Sequence, residues 1–384
     1  MARIVVIGGG ITGTATAEAL ARQGEQVTLL EKTGVAAMAS GWTLAGVRQS
    51  GRHPAELPLA QAAVAIWADL HERLGAETDY RRKGNLRLAR TEAEVPVIRQ
   101  LVADQRAMGL DLSYLPDNAA VRAVAPALSE RVLAASLCPS DGHADPVKTT
   151  RAFAASARRH GAVIREGVGA RAIRVAGGRV SGIDTTDGFL AADSVVVAAG
   201  INSAALLKPL GLAIPIAVKL VSVLQSEALP PLLDQVFGVA NADCAGRQQV
   251  DGRLRVTNGL GDWPGDPAQW SEAALAPSPD DLAALRALVA HFLPAIAEVD
   301  IARSWGGLID LTPDALPVLD APEAIAGLVI AAGFSGHGFC LGPVSGEICA
   351  ALALGQTPRH DLAAFRLGRF ADGSITPAEL SLHG

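Results

Sequence analysis

The chain has 384 residues, 49% of them hydrophobic and 19% charged. That balance builds buried cores and excludes a disordered chain, and the length favours two domains. A formal charge of −6, with no basic run longer than Arg81-Arg82-Lys83, excludes a nucleic-acid surface, which needs clustered lysine and arginine. Four scattered cysteines (Cys138, Cys244, Cys340, Cys349) with no CxxC pair indicate neither a zinc site nor a disulfide framework, and no metal is expected. No apolar run reaches the roughly 18 residues of a membrane span. The chain enters a strand without a leader-like segment, so a cytoplasmic location is expected.

In chain order, Arg3 to Ile7 (RIVVI) is a short apolar, β-branched run and reads as a buried parallel strand. GGGITG follows, then TATAEALARQG has helical spacing up to Gly24, and QVTLL (26–30) is a second strand closed by Glu31. Gly8, Gly10 and Gly13 therefore form G-x-G-x-x-G between a strand and a helix, the context that gives the motif its meaning. Gly8 permits the tight turn, Gly10 lets the backbone approach a pyrophosphate, and Gly13 lets helix and strand pack. The opening turn, with Ile11 and Thr12, presents free N–H groups to phosphates. Glu31 can accept from ribose hydroxyls, and Lys32 adjoins it. The motif does not decide between FAD and NAD.

Further along, Pro58 to Leu74 and Glu92 to Met108 have helical patterns, and Asn85 to Ala89 (NLRLA) looks like a strand. A second nucleotide-domain block starts near Asp145-Pro146. It comprises a helix (147–161), the strand AVIREG, a hairpin around Gly177-Gly178 and the strand DSVVVAAG. Its small-residue end, Ala199-Gly200, comes near the same pyrophosphate, and Ala170 is grouped with that site. From 215 to 310 the pattern shifts to short strands (KLVSVLQSE, GRLRVTN) and one helix, Pro279 to Phe292. GLVIAAGF (327–334) returns to the buried-strand style, with a helix from Pro343 after it. The alternation predicts an α/β chain. A discontinuous Rossmann-like domain (1–80, 141–214 and 322–384) is interrupted by a second domain (81–140 and 215–321).

The order GGGITG, Glu31, SGWTLAG, DG-x-x-DP (141–146), VVVAAG, W-x-G…TPD…P-x-L-D and GFSGHGF resembles the D-amino-acid oxidase superfamily. The likeness is to its glycine oxidase and sarcosine oxidase branch, including β-type subunits of bacterial amino-acid dehydrogenases, and it covers nearly the whole chain. It implies bound FAD and an α+β substrate domain on a large, mostly antiparallel sheet. It also implies oxidation of the C–N bond of a small amino acid or secondary-amine amino acid. Hydride passes from Cα to the flavin N5, the imine hydrolyses, and O2 or another acceptor takes the electrons. Rival readings are an NAD-dependent dehydrogenase, a D-amino-acid dehydrogenase with another acceptor, and an FAD-binding subunit of a hetero-oligomer. The resemblance assigns the flavin to Ser40, Gly41, Thr43, Leu44, Ala45 and Gly46, then Gly307, then Gly333, Ser335, Gly336, His337, Gly338 and Phe339.

For the substrate, Arg48 falls where sarcosine-oxidase-like sequences place a carboxylate-binding arginine, and Arg52 follows at i+4. A guanidinium is the planar, bidentate match to a carboxylate. Asn258 and Thr257 fall on a strand expected over the flavin, and Trp305, Trp42 and His53 are candidate cavity walls. Three departures stand out. Cys340 occupies the position of a clamp lysine, Ile309 that of a glycine-oxidase arginine, and Gly307 that of a flavin-attaching cysteine. FAD is therefore expected to be non-covalent, and the candidates for a replacement cation are Arg82, Arg253, Arg255 and Arg303. Cys340 has no activating partner that would make it a nucleophile.

Overall fold

The computed structural model describes residues 1–371, so positions 372–384 at the end of the expected cofactor domain lie outside the described residues. Strand β1 (Arg3–Ile7), helix α1 (Ile11–Arg22) and strand β2 (Gln26–Glu31) form the expected opening unit. They lie in a six-stranded sheet of order Val318–Asp320, Leu328–Ala332, Ser194–Val197, β1, β2, Val163–Glu166. All neighbours in it are parallel except the Val318–Asp320 edge. The β-branched run of β1 suits that place, because a central parallel strand is covered on both faces.

Two helices cover one face. Helix α1 packs on the Gly338–Ala353 helix, whose Gly342 and Gly346 let the backbones approach. A Cβ at Gly346 would lie 2.6 Å from that of Ala15, and one at Gly342 would lie 2.7 Å from Ile11. This helix begins at Gly338 rather than at Pro343, since proline tolerates a place in a first turn and a half where few N–H bonds are lost. GFSGHGFC is thus half turn and half helix, with Cys340 inside the helix. The helical pattern of 58–74 is likewise two helices, Leu57–Ala68 and Leu70–Leu74, broken at Asp69.

The second sheet has nine strands, drawn from residues 85–138 and 217–311, and only the contact between Asn85–Ala89 and Val236–Val239 is parallel. One face carries a core of Leu86, Leu88, Leu254 and Val256 beneath the Pro279–Ala290 helix. The other face looks toward the first sheet. Strand Val318–Asp320, expected in the second domain, instead pairs with Leu328–Ala332 in the first sheet. Among the described residues no helix is long and apolar enough to cross a membrane.

Candidate active site

A cavity of about 560 Å³ lies between the two sheets. On its first wall are Gly8, Gly10, Ile11 and Thr12, with Glu31, Lys32, Ser40, Ala170, Ala199 and Gly200 beside them. The glycines are demanded by geometry. Gly8 has φ +114°, and a Cβ there would lie 2.2 Å from the Ala198 carbonyl oxygen; one at Gly13 would lie 2.0 Å from that of Gly8. Glu31 accepts from the Gly9 N–H at 2.7 Å, and Ser40 Oγ accepts from that of Ile11 at 2.9 Å. Thr12, one residue on, opens to the cavity with a first-turn N–H that has no intrahelical acceptor. The turn, the helix end and the carboxylate fit the pyrophosphate and ribose of a dinucleotide.

The segment Gly46–Glu56 brings charge to the second part of the cavity. Arg48 and Arg52 line it, and so does Arg87 from the Asn85–Ala89 strand. Arg52 and Arg87 are each 4% exposed. Burial and the nearby guanidiniums of Arg52 and Arg87 hold Arg48 well below its usual pKa, and burial brings Arg87 to about 10. Asp141, from the DG-x-x-DP segment, organises the loop. It accepts from the Gln49 N–H (2.8 Å), the Ser50 N–H (3.3 Å) and the Ser50 hydroxyl (2.5 Å), which in turn accepts from Asn85 Nδ2 (3.0 Å). Gln105 accepts from Gly51 N–H and donates to the Arg52 carbonyl. Glu56, wholly buried, lies 3.4 Å from Arg52 and 3.0 Å from His337 Nδ1. Burial opposes its charge, but His337 and Arg52 outweigh it and bring the carboxyl to about 2. Burial, then Arg52, push His337 down to about 4, so its ring is neutral near pH 7.

Of the other residues singled out in the sequence, Thr43, Leu44, Gly46, Trp42, Gly307, Gly336, Gly338, Phe339 and Thr257 also line the cavity. Several predicted residues lie elsewhere. Gly13 packs under the Gly8 turn, and Gly41 faces the Ala36 carbonyl, where a Cβ would come within 2.0 Å. Ala45 is fully buried in the α1 core with φ +57°. Gly333 backs onto Thr312, and Ser335 hydrogen-bonds Thr312. His337, the residue before the helix, turns to Glu56 and is not among the residues lining the cavity. Cys340 Sγ donates to the Arg48 carbonyl at 3.3 Å, so it steadies the arginine's backbone. Asn258 accepts from Ser222 N–H on the strand face opposite Thr257. Trp305 donates to the Trp42 carbonyl and stacks under Arg255 and Arg303.

His53 is exposed, and Arg82, Arg253 and Arg303 are also outside the cavity lining. Arg255 donates to the Thr43 carbonyl, and the wholly buried Arg247 donates to those of Leu44 and Ala144 (3.0 Å) and contacts His143 Nδ1 at 2.9 Å. Sequence reasoning missed Arg87, Asn85 and Asp310. Asp310 accepts from Gly333 N–H at 2.8 Å, and burial pushes its carboxyl up to about 6. The alternation of NLRLA carried a signal for Arg87, since its polar positions share one face.

A nucleotide-type sheet and a second sheet enclosing one cavity are the frame of a dinucleotide-dependent enzyme. Residues 3–352 match the family described as DAO, FAD dependent oxidoreductase, and the chain belongs to it. Among its relatives is 4-methylaminobutanoate oxidase (formaldehyde-forming) of Paenarthrobacter nicotinovorans, 29% identical over 96% of this chain and 46% of that protein. The chain thus spans about half the length of that relative. The solved glycine oxidase from Geobacillus kaustophilus superposes with TM-score 0.87 at 27% identity, covering 96% of this chain and 98% of that one. L-proline dehydrogenase from P. horikoshii superposes with TM-score 0.88 at 26% identity, covering 98% and 99%.

Proposed function

We propose that the chain oxidises the C–N bond of a small amino acid whose nitrogen is a secondary amine, using FAD held without a covalent bond. The observation that carries this reading is one cavity walled by a glycine turn of dinucleotide-binding type and by three arginines, Arg48, Arg52 and Arg87, the last two buried. Bound FAD supplies the two-electron acceptor for hydride leaving the carbon that bears the amine. The chain's own residues bind, orient and exclude water. The Gly8–Thr12 turn would hold the pyrophosphate and Glu31 a ribose, with Thr43, Leu44, Gly336 and Gly338 along the ring. The first sheet then belongs to a cofactor domain and the second to a substrate domain.

Arg48 and Arg52 would fix the substrate carboxylate, leaving the amine neutral and its α-hydrogen toward the ring. Loss of hydride and the nitrogen's proton gives an imine, which water splits to an amine and a carbonyl compound. Non-covalent attachment is supported by a lining that, among the described residues, contains neither a cysteine nor a histidine. The relatives that act on methylaminobutanoate and proline support a secondary amine.

The test is anaerobic mixing of the purified yellow protein with glycine, sarcosine, proline, D-amino acids and iminodiacetate while following the flavin colour. Bleaching by at least one secondary amine is expected; a flavoprotein bleached by none overturns the reading. Arg48→Ala should raise the half-saturating concentration of the bleaching substrate roughly ten- to hundredfold, the worth of a charge-assisted bond. An unchanged value refutes the clamp. Mass in solution, alone and after co-purification from its native host, separates a free-standing enzyme from a catalytic subunit.

A further inference from the structure

Resting on the reading above that the cavity holds FAD, we infer that Asp310 is a further residue of the cofactor wall, whose carboxylate charge makes the bound flavin harder to reduce.

The placement comes from two elements that meet at the cavity. Gly307, Leu308, Ile309 and Asp310, from the end of the Ile301–Leu311 strand, all line it, and so do Phe334, Gly336 and Gly338 from the C-terminal turn and the helix start after it. Asp310 is tied to that turn at two points. Its carboxylate accepts from the Gly333 N–H at 2.8 Å, and its backbone carbonyl accepts from that of Ser335 at 3.0 Å. The carboxylate therefore adjoins the stretch, Gly336 and Gly338, that the reading above gives to the ring.

Its surroundings let the charge act. Leu308 and Asp310 share a face of the strand. There Leu308 packs in an apolar cluster with Trp42, Leu220 and Val218, the last being the cross-strand partner of Asp310. Asp310 is itself 8% exposed. Burial opposes its charge, while the N–H groups of Gly333, Asp310 itself and Phe334 favour it, and the carboxyl settles at about 6. None of these influences is a cation. Arg48, Arg52 and Arg87 act instead on one another and with Asp141 and Glu56. Near and above neutral pH the cavity wall thus carries a negative charge steadied by backbone dipoles. An oxidised flavin ring is neutral, and reduction by hydride brings it an electron pair. A fixed anion in a wall of low dielectric opposes that gain and lowers the cofactor's potential.

The test reads the flavin itself. The midpoint potential of the purified flavoprotein is measured at pH 8 by equilibration with a reference dye, and sulfite is titrated in while the yellow colour is followed. Sulfite gives its sulfur electron pair to N5, forming an S–N bond with no proton or oxidant and leaving negative charge on the ring, so it senses the same field. Asp310→Asn keeps an oxygen to accept from Gly333 and removes the charge; Asp310→Glu keeps the charge. In D310N the reduction equilibrium should move roughly tenfold toward the reduced form, a rise of about 30 mV for a two-electron couple. Sulfite should bind D310N roughly tenfold more tightly, and D310E should stay close to wild type in both measurements. A merely structural tie would lower melting and flavin retention in D310N without moving either equilibrium. An unchanged potential in D310N overturns the inference, while the amine-oxidation reading stands on its own substrate panel. Equal shifts in D310N and D310E mean that the shape of the turn acts, not the charge, and overturn it as well. If D310N is not recovered with flavin, Asp310→Ser carries the same comparison. A wild-type protein that holds no flavin overturns the cofactor reading and this inference with it.

Discussion

His337 shows how far a residue's role depends on what surrounds it. In GFSGHGFC it looks like half of a reactive pair with Cys340, yet its Nδ1 meets Glu56 and the Cys340 thiol meets a backbone carbonyl. Burial pushes that thiol up to about 11, which suits a small packing group and not a nucleophile. The histidine has a consequence for stability. Its folded pKa of about 4 lies below the ordinary 6.5, so the unfolded chain binds the proton more readily. Stability is therefore complete above about pH 6.5 and falls as the pH drops toward 4, by up to ~3 kcal/mol. Asp310, raised to about 6, contributes the opposite slope, but it does so with or without His337. Denaturant midpoints from pH 7 to 4 should thus fall more steeply for wild type than for His337→Asn. Parallel curves would show that the ring titrates normally.

At the scale of elements, the N-terminal end of α1, where the glycine turn opens on the cavity, is held in place by its neighbour. The Gly338–Ala353 helix touches α1 through Gly342 and Gly346, one turn apart, so the two backbones run closer than any side chain permits. Gly346→Val would push atoms into Ala15 and tilt α1 away from β1. A loss of about 1–3 kcal/mol is expected from such overpacking, and the flavin-to-protein ratio should drop, because the tilted helix no longer aims its N–H groups. A valine variant with wild-type melting and full flavin would show that the contact is slack. The same principle explains the DG-x-x-DP segment. Asp141 ties down Gln49 and Ser50, Gly142 avoids a clash with the Arg81 carbonyl, and Asp145 caps the next helix.

Across the whole molecule, the two sheets are joined by arginines that bond backbone carbonyls. Arg247, on a strand of the second sheet, bonds the carbonyls of Leu44 and Ala144 and the ring of His143, and Arg255 bonds that of Thr43. The Thr43 and Leu44 carbonyls belong to the turn that lines the cavity, so the second sheet shapes that wall. Arg247→Met leaves several buried acceptors without donors, a cost of roughly 1–3 kcal/mol. The variant should keep its circular dichroism and release flavin faster in a dilution assay. An unchanged release rate would mean that the turn holds its shape without the arginine.

Much of this was legible along the chain because it is local. The strand, glycine turn and helix of residues 3–22 and the carboxylate at Glu31 follow from spacing and residue type, since a tight turn or a free helix end is set by a few neighbouring dihedrals, whereas Arg48 was singled out by the family likeness alone. The family likeness extended that reading to the C-terminal turn. Other features were decided only by tertiary structure. NLRLA reads as an ordinary strand until four neighbours align Arg87 with Gly238, Ala245, Thr257 and Val223. Asp310 becomes a raised carboxyl only when the Gly333 turn folds over it. Asn258 faces away from the cavity because strand alternation sets which neighbour looks inward, and His337 does so with its ring against the distant Glu56. The backbone's short-range preferences write the glycine turn into the sequence, whereas the cluster of arginines lining the cavity is assembled from strands and loops far apart in the chain.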